Sequence, residues 1–312
     1  MSNRARRRRT PEGSRSGQPT RNLIIQRIKH RRTIQGRVDD FPEFTHIGYD
    51  LFSRVGKLGG HAHPGMFEFC LIVRGHVTWW AKDKTYELRG GDVYFTWPDE
   101  PHGGLHNVMH PCTIYWTTLR VPKPASPAAR RFLHLPPAES QALCAAIHAL
   151  PDRHLRGAER LEPYCEALFT HLETGGRLGV IQARASLQGF LATLVTLPHA
   201  GTLSEFVPPG IARARNFLDD CPRPWPKVAE LADIAGMSAS HFHACFAREV
   251  GMAPMEYAHR ERLERAQALL KEPRATVTSV ATQLGYCSSQ HLAACFRQYL
   301  GRSPTGSKSQ PA

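Results

Sequence analysis

Between residues 40 and 122 the apolar positions come in short aromatic and β-branched runs: FEFCLIVRG, HVTWWAKD, KTYELRGGDVYFTWP and CTIYWTTLRVP, broken by Gly, Asp and Pro. Runs of this make-up predict strands, and several at close spacing predict a small barrel or sandwich. VPKPASP (121–127) ends that pattern. From about 137 to 198 the apolar spacing turns helical: Leu143, Ile147 and Leu150, then Leu161, Cys165, Leu168 and Leu172, then Ile181, Leu187, Leu191 and Leu194. Pro151, Pro198 and the Gly175–Gly176 pair punctuate these helices, and a second Pro-rich link, FVPPG (206–210), opens a last helical region. The expected fold class is α+β multidomain, with an N-terminal β-barrel, a helical segment and an all-α C-terminal domain.

That last region repeats itself. VAELADIAGMSASHFHACFAREVGMAP (228–254) matches VTSVATQLGYCSSQHLAACFRQYLGRSP (277–304), about fifty residues on. Both carry Ala-x3-Gly (Ala232/Gly236 and Ala281/Gly285), then Ala-Cys-Phe, then Gly and Pro (Phe246/Gly251/Pro254 and Phe296/Gly301/Pro304). Each copy reads as helix, tight turn, helix: the Ala lets the helices approach and the Gly takes a turn needing positive φ. Ser238 and Ser288 are placed to cap the second helix of each copy. On the helical wheel Phe242, Cys245 and Phe246 turn inward, as do Leu292, Cys295, Phe296 and Tyr299. Ser240, His243, Ala244 and Ala247, and in the second copy Gln290, Ala293, Ala294 and Arg297, are left outside. A helix-turn-helix offers its second helix to the major groove, so these residues, with Ser238, Ser288 and Ser289, are the expected DNA-binding set. MEYAHRERLERAQALLKE (255–272) is a strong helix that would fix the separation of the two copies.

Residues 211–304 resemble the C-terminal domain of the AraC/XylS family of bacterial transcription regulators. The family pattern stands here as Arg262-Leu263, Ala266, Leu269-Leu270, Ala281, Gly285-Tyr286, Leu292, Phe296-Arg297, Gly301 and Pro304. Leu292 occupies a position where an aromatic is common. Ala244 and Ala294 stand where some members aim an arginine at the DNA, so Ser240, His243, Ser289 and Gln290 are left as base readers. The resemblance implies a cytoplasmic regulator acting on promoter DNA. It further implies a homodimer, contact with RNA polymerase, and activation of a nearby operon, though repression fits every residue equally.

Charge agrees with a polyanionic partner. The net charge is +13, and residues 1–40 hold 12 positive against 3 negative side chains. Residues 211–312 hold 13 against 9, while the middle of the chain is balanced. Residues 1–38, with their RARRRR run, are expected to be a disordered basic tail, with NLIIQRIKHRR able to form a helical turn or two. The eight cysteines are scattered singly with no CxxC, which fits buried thiols in a reducing cytosol. No run of eighteen apolar residues is present, so no membrane partner is expected. The domain division is then tail (1–38), sensing β domain (39–122), helical dimerisation segment (123–205) and DNA-binding domain (206–307).

The β domain raises a question of metal chemistry. His61, His63, Glu68 and Gly75 meet the cupin signature His-x-His-x(3–4)-Glu-x6-Gly, and Gly91, Asp92, Pro98 and His102 approximate its second half. Alternate residues on a strand share a face, so His61 and His63 could both point inward, and with Glu68 and His102 they could ligate iron, manganese or nickel. The second motif, however, runs one residue tight and lacks its glycine. No metal or other cofactor is therefore expected, and those four residues are kept only as candidate ligands. With a DNA reader at the other end, the barrel resembles the cupin-like sensor of the same family. His61, His63, Glu68, Trp79, Trp97 and His102 are the candidate contacts for a small organic effector. Strand aromatics at Trp79, Trp80, Tyr94, Trp97, Tyr115 and Trp116 suit a sugar first, an aromatic acid or another metabolite next. The competing reading is a metal-dependent cupin enzyme, a dioxygenase or sugar isomerase, with a helical accessory domain.

Overall fold

The computed structural model describes residues 22–38, 40–199, 208–220, 225–300 and 303–304. The strands are Asn22–Ile28 (β1), Arg31–Arg37 (β2), Phe44–Phe52 (β3), Gly56–Lys57 (β4), Phe67–Ala81 (β5), Lys84–Arg89 (β6), Asp92–Thr96 (β7), His102–Gly104 (β8), Val108–Met109 (β9) and Cys112–Leu119 (β10). Helix Pro137–His148 (α1), strand His154–Arg156 (β11) and helices Ala158–Thr174 (α2) and Gly176–Leu194 (α3) complete the first half.

Pairing is antiparallel, in the order β1-β2-β3-β10-β5-β7-β11. FEFCLIVRG and HVTWWAKD, two strands in the sequence reading, are one strand, β5. Its first half pairs with β10 and β7, its second half with β6 and β8. It bends at Gly75, whose φ is 95° and where a Cβ would stand 2.6 Å from the Pro111 carbonyl oxygen. The bend folds the sheet over itself in a cupin-like way, although its hydrogen-bonded circuit does not close. Period-2 alternation then sorts β5. Phe67, Phe69 and Leu71 pack outward against the helices, while Cys70 and Ile72 belong to the core inside the fold.

Three expectations are corrected here. Residues 22–37 are a β-hairpin, with neither the disorder nor the helical turn expected of 1–38. Few apolar residues suffice because β2 borrows an existing edge. Ile34 pairs with Ile47 and is buried. Arg32 lies over the Phe169 ring and bonds Glu173 and Glu166, and Arg27 also pairs with Glu173. The RARRRR run lies outside the described residues. Secondly, the boundary at 122 falls inside one core, where Phe69 and Phe95 meet Phe169, Phe190 and Leu187, and β11 pairs with β7. Thirdly, Ile181 is 55% exposed, because Val180, Ala183 and Leu187 take the inner face of α3.

The second half is helical: Pro209–Asp219 (α4), Val228–Ala235 (α5), Ala239–Val250 (α6), Pro254–Leu270 (α7), Val277–Gln283 (α8) and Ser289–Leu300 (α9). Gly236 (φ 70°) and Gly285 (φ 72°) make left-handed turns between α5 and α6 and between α8 and α9, as the repeat predicts. Each unit has its own core, one around Phe242 and Phe246, the other around Leu292 and Phe296. Helix α7 serves both, placing Ala258 in the first and Leu263, Ala266 and Leu270 in the second. Phe206 and Val207 of the Pro-rich link, Cys221 and Gly301 lie outside the described residues. Six of the other cysteines are buried, and Cys287 is exposed. Among the described residues no helix is long and apolar enough to cross a membrane.

Candidate ligand pocket and nucleic-acid interface

The folded-over sheet lines a partly open cavity of about 390 Å³, within the range of small-molecule sites. His61, His63, Glu68, Trp79 and His102 all line it, so five of the six expected effector contacts meet. Trp97 does not. It follows the end of β7, where the Arg153 guanidinium lies over its ring, 4.7 Å from the ring centre, and Phe95 meets it edge to face. The sequence reading missed His46, Asp50, Lys57 and Arg31 on the wall, and left Tyr94 and Trp116 among the unassigned aromatics. Trp116 lies across Gly48, where a Cβ would come within 2.1 Å of the indole, and its Nε1 donates to Asp50 (2.8 Å). Gly48 and Trp116 are opposite one another on neighbouring strands but far apart in sequence, so no local pattern signalled this wall.

The polar floor is compact. His61 and His102 exchange both backbone hydrogen bonds at 2.9 Å, although no regular strand joins them. Glu68 Oε2 lies 2.9 Å from His102 Nε2, and its Oε1 lies 3.4 Å from His63 Nε2. The ligand atoms of all four residues fall within 4.8 Å of one another. Burial pushes the Glu68 carboxyl up, but the imidazoles of His102 and His63 outweigh it and bring it down to about 2. Burial pulls His102 down, and the Glu68 carboxylate more than reverses this, leaving its pKa raised. His46, on the wall, is lowered to about 4 by burial and by Arg31.

The turn 97–101 explains how His102 reaches this floor from a motif one residue short. Asp99 adopts a left-handed conformation (φ 64°), supplying the bend for which a glycine was missing. Its carboxylate accepts the Gly65 N–H at 3.0 Å, and its own N–H donates to the His63 carbonyl at 3.2 Å. The two histidine-bearing segments are thereby stitched together. Behind them Glu100 is buried, accepting the Trp97 N–H and pairing with Arg153 and Lys82.

The second surface is that of α6 and α9. Phe242, Cys245 and Phe246 are buried, while Ser240, His243 and Ala244 are exposed and Ala247 is half-buried. In α9 Leu292, Cys295 and Phe296 are buried; Gln290, Ala294 and Arg297 are exposed, and Ser289 and Ala293 are half-buried. Tyr299 is half-buried rather than buried, because it reaches sideways to stack on His259 at 6.1 Å. Ser238 accepts the His241 N–H (3.4 Å) and Ser288 the His291 N–H (3.0 Å), so both serines are N-caps. The exposed His241 and His291 were missed. Both stand three residues after the capping serine, and that shared offset was the legible clue.

Comparison with known proteins adds two domains in the same order. The AraC-like ligand binding domain matches residues 57–177, and a helix-turn-helix domain matches residues 231–309. A protein of Streptomyces lividans named as an AraC-like transcription regulator is 39% identical over 117 residues, covering 36% of this chain and 38% of its own length. The HTH-type transcriptional regulator YfiF of Bacillus subtilis is 20% identical over 260 residues, 78% of this chain and 76% of its own. Among solved structures, the DNA-binding domain of AdpA in complex with a target DNA matches at 29% identity with a TM-score of 0.30, over 32% of this chain and 90% of that one. The chain thus spans well under half the length of the first curated relatives it matches.

Proposed function

As this chain belongs to the AraC-like transcription regulators, we propose that it binds promoter DNA through α6 and α9 and responds to a small polar molecule held in the N-terminal pocket. One observation carries this reading: two capped helices with polar outer faces sit in matched units on one helix, α7, in the same chain as a partly open pocket. A dioxygenase or sugar isomerase reading of that pocket leaves the paired helix-turn-helix units without a role.

The effector is a small polar organic molecule, with sugars the first class to screen. Trp79 and Trp116 offer aromatic walls, and the buried Trp79 indole N–H has no protein partner. Homodimerisation is supported by Leu178 and Ile181, which α3 leaves 75% and 55% exposed. Cytoplasmic location, recruitment of RNA polymerase and activation belong to the same reading.

Transmission requires that the effector bind two arrangements with different affinity. Lys57 and Leu58 line the pocket, and just before them the Val55 N–H donates to the Gln298 carbonyl of α9 at 3.1 Å. Gly90, in the β6–β7 turn, lies so close to Gly251, after α6, that a Cβ there would be 2.3 Å from its carbonyl oxygen. A ligand that shifts the 55–58 segment therefore bears directly on a DNA-reading helix.

The test is selection of bound duplexes from a random pool by the full chain, followed by affinity measurements on the selected operator. His243→Ala and Gln290→Ala should each weaken binding by about 1–3 kcal/mol and relax specificity at one position. Wild-type affinity in both variants would show that other faces of α6 and α9 meet the DNA.

A further inference from the structure

We propose that the N-terminal half is a splint for DNA reading: docked as it stands, it holds α6 and α9 in one fixed relation, with Gly90 and Val55 as positioning residues. The inference rests on α6 and α9 being the reading helices. It adds the sign of the regulation, which is that docking strengthens the grip on the operator.

The place of the contacts is the first reason. Both fall at the C-terminal ends of reading helices: Gly251 follows directly on α6, and Gln298 stands in the last turn of α9. A Cβ on Gly90 would lie 2.3 Å from the Gly251 carbonyl oxygen, and one on Gly251 would lie 2.6 Å from the Gly90 nitrogen. The two backbones therefore touch. The Val55 N–H donates to the Gln298 carbonyl at 3.1 Å. Alongside, His76, His110 and Pro111 line a gap of about 70 Å³ together with Met252, Arg260 and Leu300.

Docking also leaves the reading faces uncovered. With the N-terminal half in place, Ser240, His243 and Ala244 on α6 and Gln290, Ala294 and Arg297 on α9 are all exposed. An autoinhibitory contact would cover one of these faces. This one takes the opposite end of each helix from the capping serines Ser238 and Ser288. The two units keep separate cores and share α7, so a second bridge across them restricts their relative rotation. Modules already oriented for a shared target lose less freedom on binding it, and affinity rises without any new contact.

The bridge is tied to the pocket as well. Strand β4 pairs with β9, and Lys57, Leu58 and Met109 line the cavity. Val55, His110 and Pro111, one or two residues along the same segments, meet the C-terminal half. An effector that favours this arrangement of β4 and β9 raises operator affinity by the same factor as docking raises its own.

Two wedges at the seam test this in the full chain. Gly90 has no left-handed φ, so Gly90→Ala asks little of the β6–β7 turn and places its methyl against Gly251. His110→Lys is independent of it. Burial and the Arg260 guanidinium hold that imidazole down at about 4, so a fixed cation there is driven from the seam. Affinity is measured on the selected operator, on a duplex with one subsite scrambled, and on the operator with one base pair inserted between subsites. The insertion turns one subsite by about 35° around the duplex. Wild type should lose at least about tenfold on insertion. Each wedge should bind the intact operator at least about tenfold more weakly, bind the single-subsite duplex like wild type, and lose far less on insertion. Small-angle scattering should show a larger radius of gyration in both. Lys84→Ala, exposed at the far end of β6, should change nothing. Tighter or unchanged operator binding by the wedges would overturn the splint, as would an equal loss on the single-subsite duplex, which marks general destabilisation. A wild type that selects no duplex at all would instead sink DNA reading by α6 and α9.

Discussion

Phe296→Ala should unfold the second helix-turn-helix unit and lower operator affinity by on the order of 10²–10⁴-fold. Phe296 is fully buried at the centre of a small core made by Leu263, Ala266, Leu270, Val280, Ala281, Leu284 and Leu292. Truncating such a phenylalanine typically costs about 3–5 kcal/mol, a large share of the stability of a small domain. The first unit keeps a separate core around Phe246 and should persist, so the protein would grip DNA with one unit instead of two. Linked modules gain most of their avidity from the second engagement, and that gain is lost here without any change in the first contact. Phe246→Ala should mirror the result through the other unit. Phe217→Ala, 37% exposed on α4, should move stability by no more than about 0.5 kcal/mol if it acts as a surface position. Fluorescence anisotropy with the selected operator, alongside thermal melts, reads all three. Full affinity in Phe296→Ala would mean that α9 does not contribute to the grip.

The C-terminal half was the more legible because its signals are local. A capping serine, an Ala-x3-Gly and a Phe at fixed offsets each act within one turn of helix, and a repeat doubles every one of them. The N-terminal half depends on pairings between distant residues, which local pattern does not report. Trp97 reads as a pocket aromatic by type and neighbourhood, yet Arg153, from beyond α1, captures it. The hairpin of β1 and β2 was illegible for the same reason. Its arginines look like tail charge until α2 supplies Glu166 and Glu173. How His102 reaches the pocket was not legible, because motif spacing counts residues, while the position of a side chain depends on backbone torsion. One left-handed aspartate supplies the bend for which a glycine was missing, and nothing in composition reveals it.

Arg153→Met should be the most damaging single change in the N-terminal half, costing about 3–5 kcal/mol by leaving a buried carboxylate without its main partner. Arg153 and Glu100 are 7% and 4% exposed, and Arg153 Nη2 donates to Glu100 Oε1 at 2.9 Å. Lys82, its side chain largely exposed at 3.3 Å, is a weak substitute. Glu100 also holds the turn, since its carboxylate accepts the Trp97 N–H and its carbonyl fixes His102 Nδ1. The loss should therefore reach the pocket as well as the melting temperature. Burial raises the Glu100 carboxyl, but Arg153, the Trp97 N–H and Lys82 outweigh it, so its pKa is lowered in the folded protein. A depressed carboxyl stabilises the fold above its unfolded value of about 4.3, and that contribution disappears as pH falls through the lower folded value. In Arg153→Met this part of the acid dependence should vanish or reverse, because an unpaired buried carboxyl gains stability on protonation. Melts of wild type and variant between pH 3 and pH 7 separate the cases. A parallel pair of curves would show that the ion pair neither stabilises the turn nor positions His102. Adding Glu100→Gln to the variant should recover part of the loss, since the amide carbonyl can still accept the Trp97 N–H without a charge to bury.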